Sequence, residues 1–128
     1  MESLGRHLIL EYYGCSEELL NDAEGLEALV LRATEATGAT ILHHYFHRYA
    51  PQGVSGAVVI SESHTTIHTW PEFGYLAADV FTCGTEVDPW AFHRTLVAAM
   101  NPRDCSTVEL RRGLIDLPSS RIPTSYRP

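Results

Sequence analysis

The chain lacks any apolar run near the roughly 20 residues that a membrane-spanning helix requires. Its apolar start, Leu8-Ile9-Leu10, is interrupted by Glu11. A membrane partner is therefore not expected, and the reading is of a cytoplasmic protein. Positive charge is scarce: nine Lys and Arg face sixteen Asp and Glu, for a net charge of -7, whereas a generic nucleic-acid binder needs a basic surface. The acidic balance suits a cationic small molecule and solubility equally. Cysteine is also sparse. Cys15, Cys83 and Cys105 are odd in number and widely spaced, with no Cys-x-x-Cys pair, which excludes a disulfide framework and a zinc ribbon and agrees with a reducing compartment. Internal repeats and low-complexity tracts are absent too.

What remains is a globular composition, 45% hydrophobic and 20% charged, in a chain sized for one core. Leu8, Leu10 and Tyr12 alternate within His7 to Tyr13 and predict a first strand. A helix follows, capped by Ser16, helped by Glu17 and Glu18 at its positive end, and released at Gly38. Its apolar stripe is Leu19, Leu20, Ala23, Leu26, Val30 and Ala33, with Gly25 costing about 1 kcal/mol against alanine. Four β-rich segments come next, at Ile41 to Tyr49, Gly56 to Ile60, Thr65 to Trp70 and Leu76 to Thr82. Asp88-Pro89 starts a second helix and Asn101-Pro102 stops it, with Phe92, Leu96 and Ala99 on its buried face. Thr107 to Ile115 can form a last strand.

Links this short favour antiparallel pairing. The expected fold is α+β: a two-layer α/β sandwich with a largely antiparallel sheet and helices on one face, leaving the other for a substrate or partner subunit. One domain is expected over 1–116, followed by a proline-rich tail at 117–128.

The chemistry concentrates in Ile60-Ser61-Glu62-Ser63-His64-Thr65-Thr66-Ile67-His68-Thr69-Trp70-Pro71-Glu72. Attack of the Ser63 hydroxyl on the Glu62 carbonyl would turn the amide into an ester through an oxyanion, helped by a strained turn and nearby donors. A base must then take the Ser63 α-proton, and His68 is suited to it near neutral pH. Elimination and hydrolysis would leave a pyruvoyl group on residues 63–128, separated from residues 1–62. Such a ketone forms a Schiff base with a substrate amine and draws electrons from the adjacent carboxylate, as pyridoxal phosphate does. Cys83, in Thr82-Cys83-Gly84, could return a proton after carbon dioxide leaves. Taken singly, Cys83 also reads as a small buried hydrophobe, His68 as a core histidine and Ser55 as a turn residue.

In combination, Ser61-Glu62-Ser63-His64, Thr66-Ile67-His68-Thr69-Trp70-Pro71-Glu72 and Phe81-Thr82-Cys83-Gly84, with Gly53-Val54-Ser55-Gly56 upstream, resemble the short prokaryotic S-adenosylmethionine decarboxylases. The likeness extends from Ser3-Leu4-Gly5-Arg6-His7 through Phe46-His47-Arg48 to Asp88-Pro89-Trp90, while Glu109 to Gly113 matches loosely. The resemblance implies a proenzyme cleaved at Glu62-Ser63, with Ser63 as pyruvoyl precursor, His68 as processing base, Ser55 as stabiliser of the processing intermediate and Cys83 as proton donor. It also implies Glu72 on the substrate ribose, a homodimer of cleaved protomers with sites between subunits, no metal, and a product used for spermidine and other polyamines. Tyr49 and Thr65 stand where the family usually has phenylalanine and leucine, and Gln52 where it has tyrosine. Tyr49 can still stack on adenine, and Thr65 and Gln52 make the expected substrate pocket more polar.

Two alternatives remain open at this level. One keeps the pyruvoyl group but decarboxylates arginine or ornithine; the other keeps the fold as a non-cleaving regulatory subunit. His43, His44 and His47 do not predict a metal site, because no carboxylate or cysteine nearby completes a first shell.

Overall fold

Period-two alternation pairs six segments into a single sheet in the computed structural model, which describes residues 2–61 and 63–115. Glu62 and the expected tail, 117–128, lie outside the described residues. The strands are β1 (Glu2–Tyr13), β2 (Ile41–Arg48), β3 (Val54–Ile60), β4 (Ser63–Trp70), β5 (Tyr75–Cys83) and β6 (Asp104–Ile115), in the order β2-β3-β4-β5-β1-β6. Every neighbouring pair is antiparallel. The two-layer α+β expectation therefore holds, with β1 inserted between β5 and β6.

The helix expected from Ser16 to Gly38 is instead two, α1 (Glu17–Leu20) and α2 (Ala23–Ala36). Asp22 makes the break: its carboxylate accepts the Gly25 N–H at 3.0 Å, capping α2. Beside it, Asn21 Oδ1 accepts the Gly53 N–H at 3.0 Å and ties the break to the start of β3. A Cβ on Gly25 would lie 2.3 Å from the Asp22 carboxylate, so this glycine makes room for the cap. Leu19 leaves the expected stripe, since in the short α1 it is 42% exposed. Helix α3 (Trp90–Met100) begins as expected, with Asp88 Oδ1 accepting the Trp90 N–H at 3.0 Å, and ends at Asn101 with φ 46°.

One face of the sheet carries Leu8, Leu10, Tyr12, Val54, Val58, Ile67, Leu76 and Val80, all fully buried with Val30, Phe92 and Leu96 of the helices. Each such side chain contributes about 1.5–3 kcal/mol on burial. Gly56 on this face lies opposite Phe46, where a Cβ would sit 2.1 Å from the ring; the missing side chain lets the ring cover β3. Among the described residues no helix covers the opposite face, which presents Ser55, His64, Thr66, His68, Asp79 and Cys83. Alternation sets this division, and it decides which residues can meet a ligand. Among the described residues no helix is long and apolar enough to cross a membrane.

Candidate active site

At the first residue of β4, Ser63 holds φ 130°, a left-handed value that side chains other than glycine rarely adopt and that costs about 1–3 kcal/mol. It is paired in register with Thr82 of β5, so the half-buried Cys83 is the next residue along the neighbouring strand, on the open face. Ser63 Oγ lies 3.5 Å from His64 Nδ1.

His64 belongs to a network that the sequence did not reveal. His64 Nε2 is 3.0 Å and His7 Nε2 2.6 Å from the same oxygen, Asp79 Oδ2. The Thr66 hydroxyl donates to Asp79 Oδ1. Arg112 Nη1 lies 3.0 Å from His7 Nδ1, and its guanidinium stands 5.0 Å from the centre of the Phe81 ring. Burial alone would raise the Asp79 carboxyl; the hydrogen bonds from His64, Thr66 and His7 outweigh it and hold the group well below the usual carboxylate range. His7, His64 and Asp79 also place one donor atom each within 4.8 Å of one another. As arranged, the two imidazoles act on Asp79 as hydrogen-bond donors, and the adjacent Arg112 cation weighs against a metal ion. One signal for this network was present in the sequence: an aspartate inside the otherwise apolar strand Leu76 to Thr82 needs a partner.

The other end of β4 is built differently. Ser55 and His68 are paired across β3 and β4, with Oγ 2.9 Å from Nδ1. They line a cavity of about 420 Å³ with Tyr45, His47, Tyr49 and Thr66. A second cavity of about 400 Å³ adjoins it at Tyr49, Ser55 and His68 and extends to Gln52, Trp70 and Glu72. Glu72 sits on the helical turn Pro71–Phe73, and Trp70 stacks on Tyr75 at 5.2 Å. Burial and the bond that the Tyr75 hydroxyl donates to Glu11 push this phenol up to about 12.

The expected site residues thus fall into two groups. Ser63 and Cys83 lie together; Ser55, His68, Tyr49 and Glu72 lie together. Five residue steps along β4 lead from Ser63 to His68, about 16 Å at a rise of about 3.3 Å each, beyond the reach of an imidazole within one chain. Thr65 departs from its expected place beside the substrate. Alternation turns it to the helix layer, where it is 0% exposed and its hydroxyl lies 2.9 Å from that of Thr34. The histidines of β2 do not converge either. His44 binds Glu27 on the helix side at 2.9 Å, while His47 packs with Tyr45 and Tyr49.

A profile described as S-adenosylmethionine decarboxylase matches residues 6–113. The S-adenosylmethionine decarboxylase proenzyme of Moorella thermoacetica is 50% identical over 120 residues, covering 94% of this chain and 96% of that protein. The proenzyme of the same name from Caldicellulosiruptor saccharolyticus is 49% identical over 118 residues, 92% of this chain and 95% of its own length. Among solved structures, the adenosylmethionine decarboxylase from Aquifex aeolicus matches with a TM-score of 0.87 at 27% identity, covering 93% of this chain and 98% of that one.

Proposed function

The chain belongs to the S-adenosylmethionine decarboxylase family, and from that premise we propose that it is a self-cleaving proenzyme that decarboxylates S-adenosylmethionine. Cleavage falls between Glu62 and Ser63, Ser63 becomes a pyruvoyl group, and the product supplies spermidine and other polyamines. The observation that carries this reading is the left-handed φ of 130° at Ser63: strain at the one serine whose peptide bond must rearrange favours its conversion to an ester. The surroundings fit the group that would form, with a histidine at the hydroxyl and the Cys83 thiol on the adjacent strand. When present, the pyruvoyl ketone supplies an electron sink for loss of carbon dioxide.

His68 removes the Ser63 α-proton from the ester, and Ser55, hydrogen-bonded to it, steadies the intermediate. Because about 16 Å of strand separates the two ends of β4, the His68 that serves a given Ser63 belongs to a second copy. The open face supports that pairing, since Tyr45, Val59, Val108 and Leu110 expose 64%, 45%, 50% and 44% of their surface there, an area suited to a symmetric partner. The enzyme is then a cytoplasmic homodimer. Tyr49 stacks on the adenine and Glu72 accepts from the ribose hydroxyls in the aromatic cavity. Cys83 returns a proton to the substrate carbon at the Ser63 end.

Denaturing electrophoresis with mass spectrometry, alongside carbon dioxide release from S-adenosylmethionine, tests the reading. The expected result is two near-equal fragments, residues 1–62 and a blocked 63–128, together with release from this substrate. An active preparation whose chain is intact at Glu62-Ser63, or cut protein inert toward S-adenosylmethionine, overturns it.

A further inference from the structure

We propose that His64, held by Asp79, is the base that takes the hydroxyl proton of Ser63 in the first step of self-cleavage, a step distinct from the one served by His68. The inference rests on the self-cleaving reading and adds to it a division of labour between two histidines.

The hydrogen-bond pattern fixes the tautomer on which the role depends. Arg112 has only donors, so His7 Nδ1 at 3.0 Å must accept. His7 Nε2 therefore carries its proton and donates it to Asp79 Oδ2 at 2.6 Å. His64 Nε2, 3.0 Å from the same carboxylate oxygen, donates as well. In the neutral ring this leaves His64 Nδ1 with a bare lone pair, and the polar atom beside it is Ser63 Oγ at 3.5 Å. That separation is long for a hydrogen bond, but such contacts commonly tighten when the reacting geometry is reached. The order serine, imidazole, partly buried carboxylate is that of a nucleophile, its base and the group that orients the base. Here His64 Nδ1 faces the nucleophile and Nε2 faces the carboxylate.

The step balances without a co-reactant. Ser63 Oγ forms a bond to the Glu62 carbonyl carbon as its proton passes to His64 Nδ1. The C–N bond of the resulting tetrahedral adduct then breaks, and the same proton moves to the departing Ser63 amine. The product is an ester with His64 neutral again. His68 acts only afterwards, on the α-proton. Asp79 is a positioning residue, and Thr66, donating to its other oxygen, fixes the carboxylate plane.

Hydroxylamine separates the two steps because it cleaves esters and leaves peptide bonds intact. Wild type, His68→Ala, His64→Ala, His64→Gln, Asp79→Asn and Asp79→Glu chains are treated with and without it and weighed by mass spectrometry, with circular dichroism confirming the fold. His68→Ala should stay whole alone and be split by hydroxylamine at Glu62-Ser63. His64→Ala should stay whole in both conditions. His64→Gln keeps a polar group beside Asp79 but no base, so it should behave the same way even where the alanine variant folds poorly. Asp79→Asn should slow ester formation by about tenfold or more, with Asp79→Glu recovering part of the rate. Hydroxylamine-sensitive or normally cut His64→Gln protein overturns the role of His64, and a wild-type rate in Asp79→Asn overturns that of Asp79. A wild-type chain that never cuts sinks the self-cleaving reading itself, and the His64 assignment with it.

Discussion

The two ends of β4 lie on one strand and present His64 and His68 on the same open face, yet they are built from opposite materials. At the Ser63 end a carboxylate, two imidazoles and a guanidinium satisfy one another around Asp79, beside a serine held in a strained conformation. At the His68 end Ser55 bonds to His68 and Tyr45 to His47, and around them stand aromatic walls and open volume. A closed polar network holds atoms in place for a reaction within the chain itself. An open aromatic cavity suits an incoming planar ligand. Under the proposed function, covalent chemistry and ligand binding would be segregated along the strand, and a working site would need one end from each of two copies.

The sharpest way to break this contrast is at Cys83. Cys83→Ala should leave self-cleavage intact while lowering turnover of the cut enzyme by about 100-fold or more; single-turnover carbon dioxide release checks it, and an uncut variant would mean that the thiol serves processing instead. A smaller effect is expected at the network. Because the folded-state value of Asp79 lies below its ordinary one, the stability it contributes is complete above about pH 4 and is lost as the pH falls through the folded value. Urea denaturation of Asp79→Asn should therefore show a deficit near neutral pH that closes in acid, and a deficit independent of pH would remove charge from the explanation. Least affected should be the helix-side Thr65. Thr65→Val is expected to cost about 1 kcal/mol with cleavage and KM unchanged, since Thr34 keeps its bond to the Val30 carbonyl at 2.7 Å; a raised KM would return Thr65 to the pocket.

Much of this was legible in the sequence. Alternation in Leu8, Leu10 and Tyr12 marked the first strand, and β-branched and aromatic segments between Gly, Pro and polar clusters marked the next four, because a half-buried sheet selects such side chains. Asp88-Pro89 and Asn101-Pro102 bounded α3 because caps and breakers act locally. Ser63, Cys83, Ser55 and His68 were singled out by their combination in motifs that resemble a family; taken singly, Cys83, His68 and Ser55 also read as a buried hydrophobe, a core histidine and a turn residue. What escaped were the consequences of long-range pairing. His7 meets Asp79 only because β1 inserts beside β5, and nothing near His7 announces that. Thr65 was misplaced because its face depends on the strand phase relative to the helices rather than on its distance from Ser63. The break at Asn21 and Asp22 was hidden because the apolar stripe continues across it, while the cap that causes it is a single side chain.

Subunit mixing tests most directly whether the two ends meet across copies. Chains carrying Ser63→Ala and chains carrying His68→Ala, neither of which completes cleavage alone, are co-expressed in equal amounts and the products weighed beside a wild type that cuts. A mixed symmetric dimer holds one site with both defects and one with neither, so about a quarter of all chains should be cut, every one of them carrying His68→Ala. Uncut chains throughout the mixture would contradict a site shared between copies.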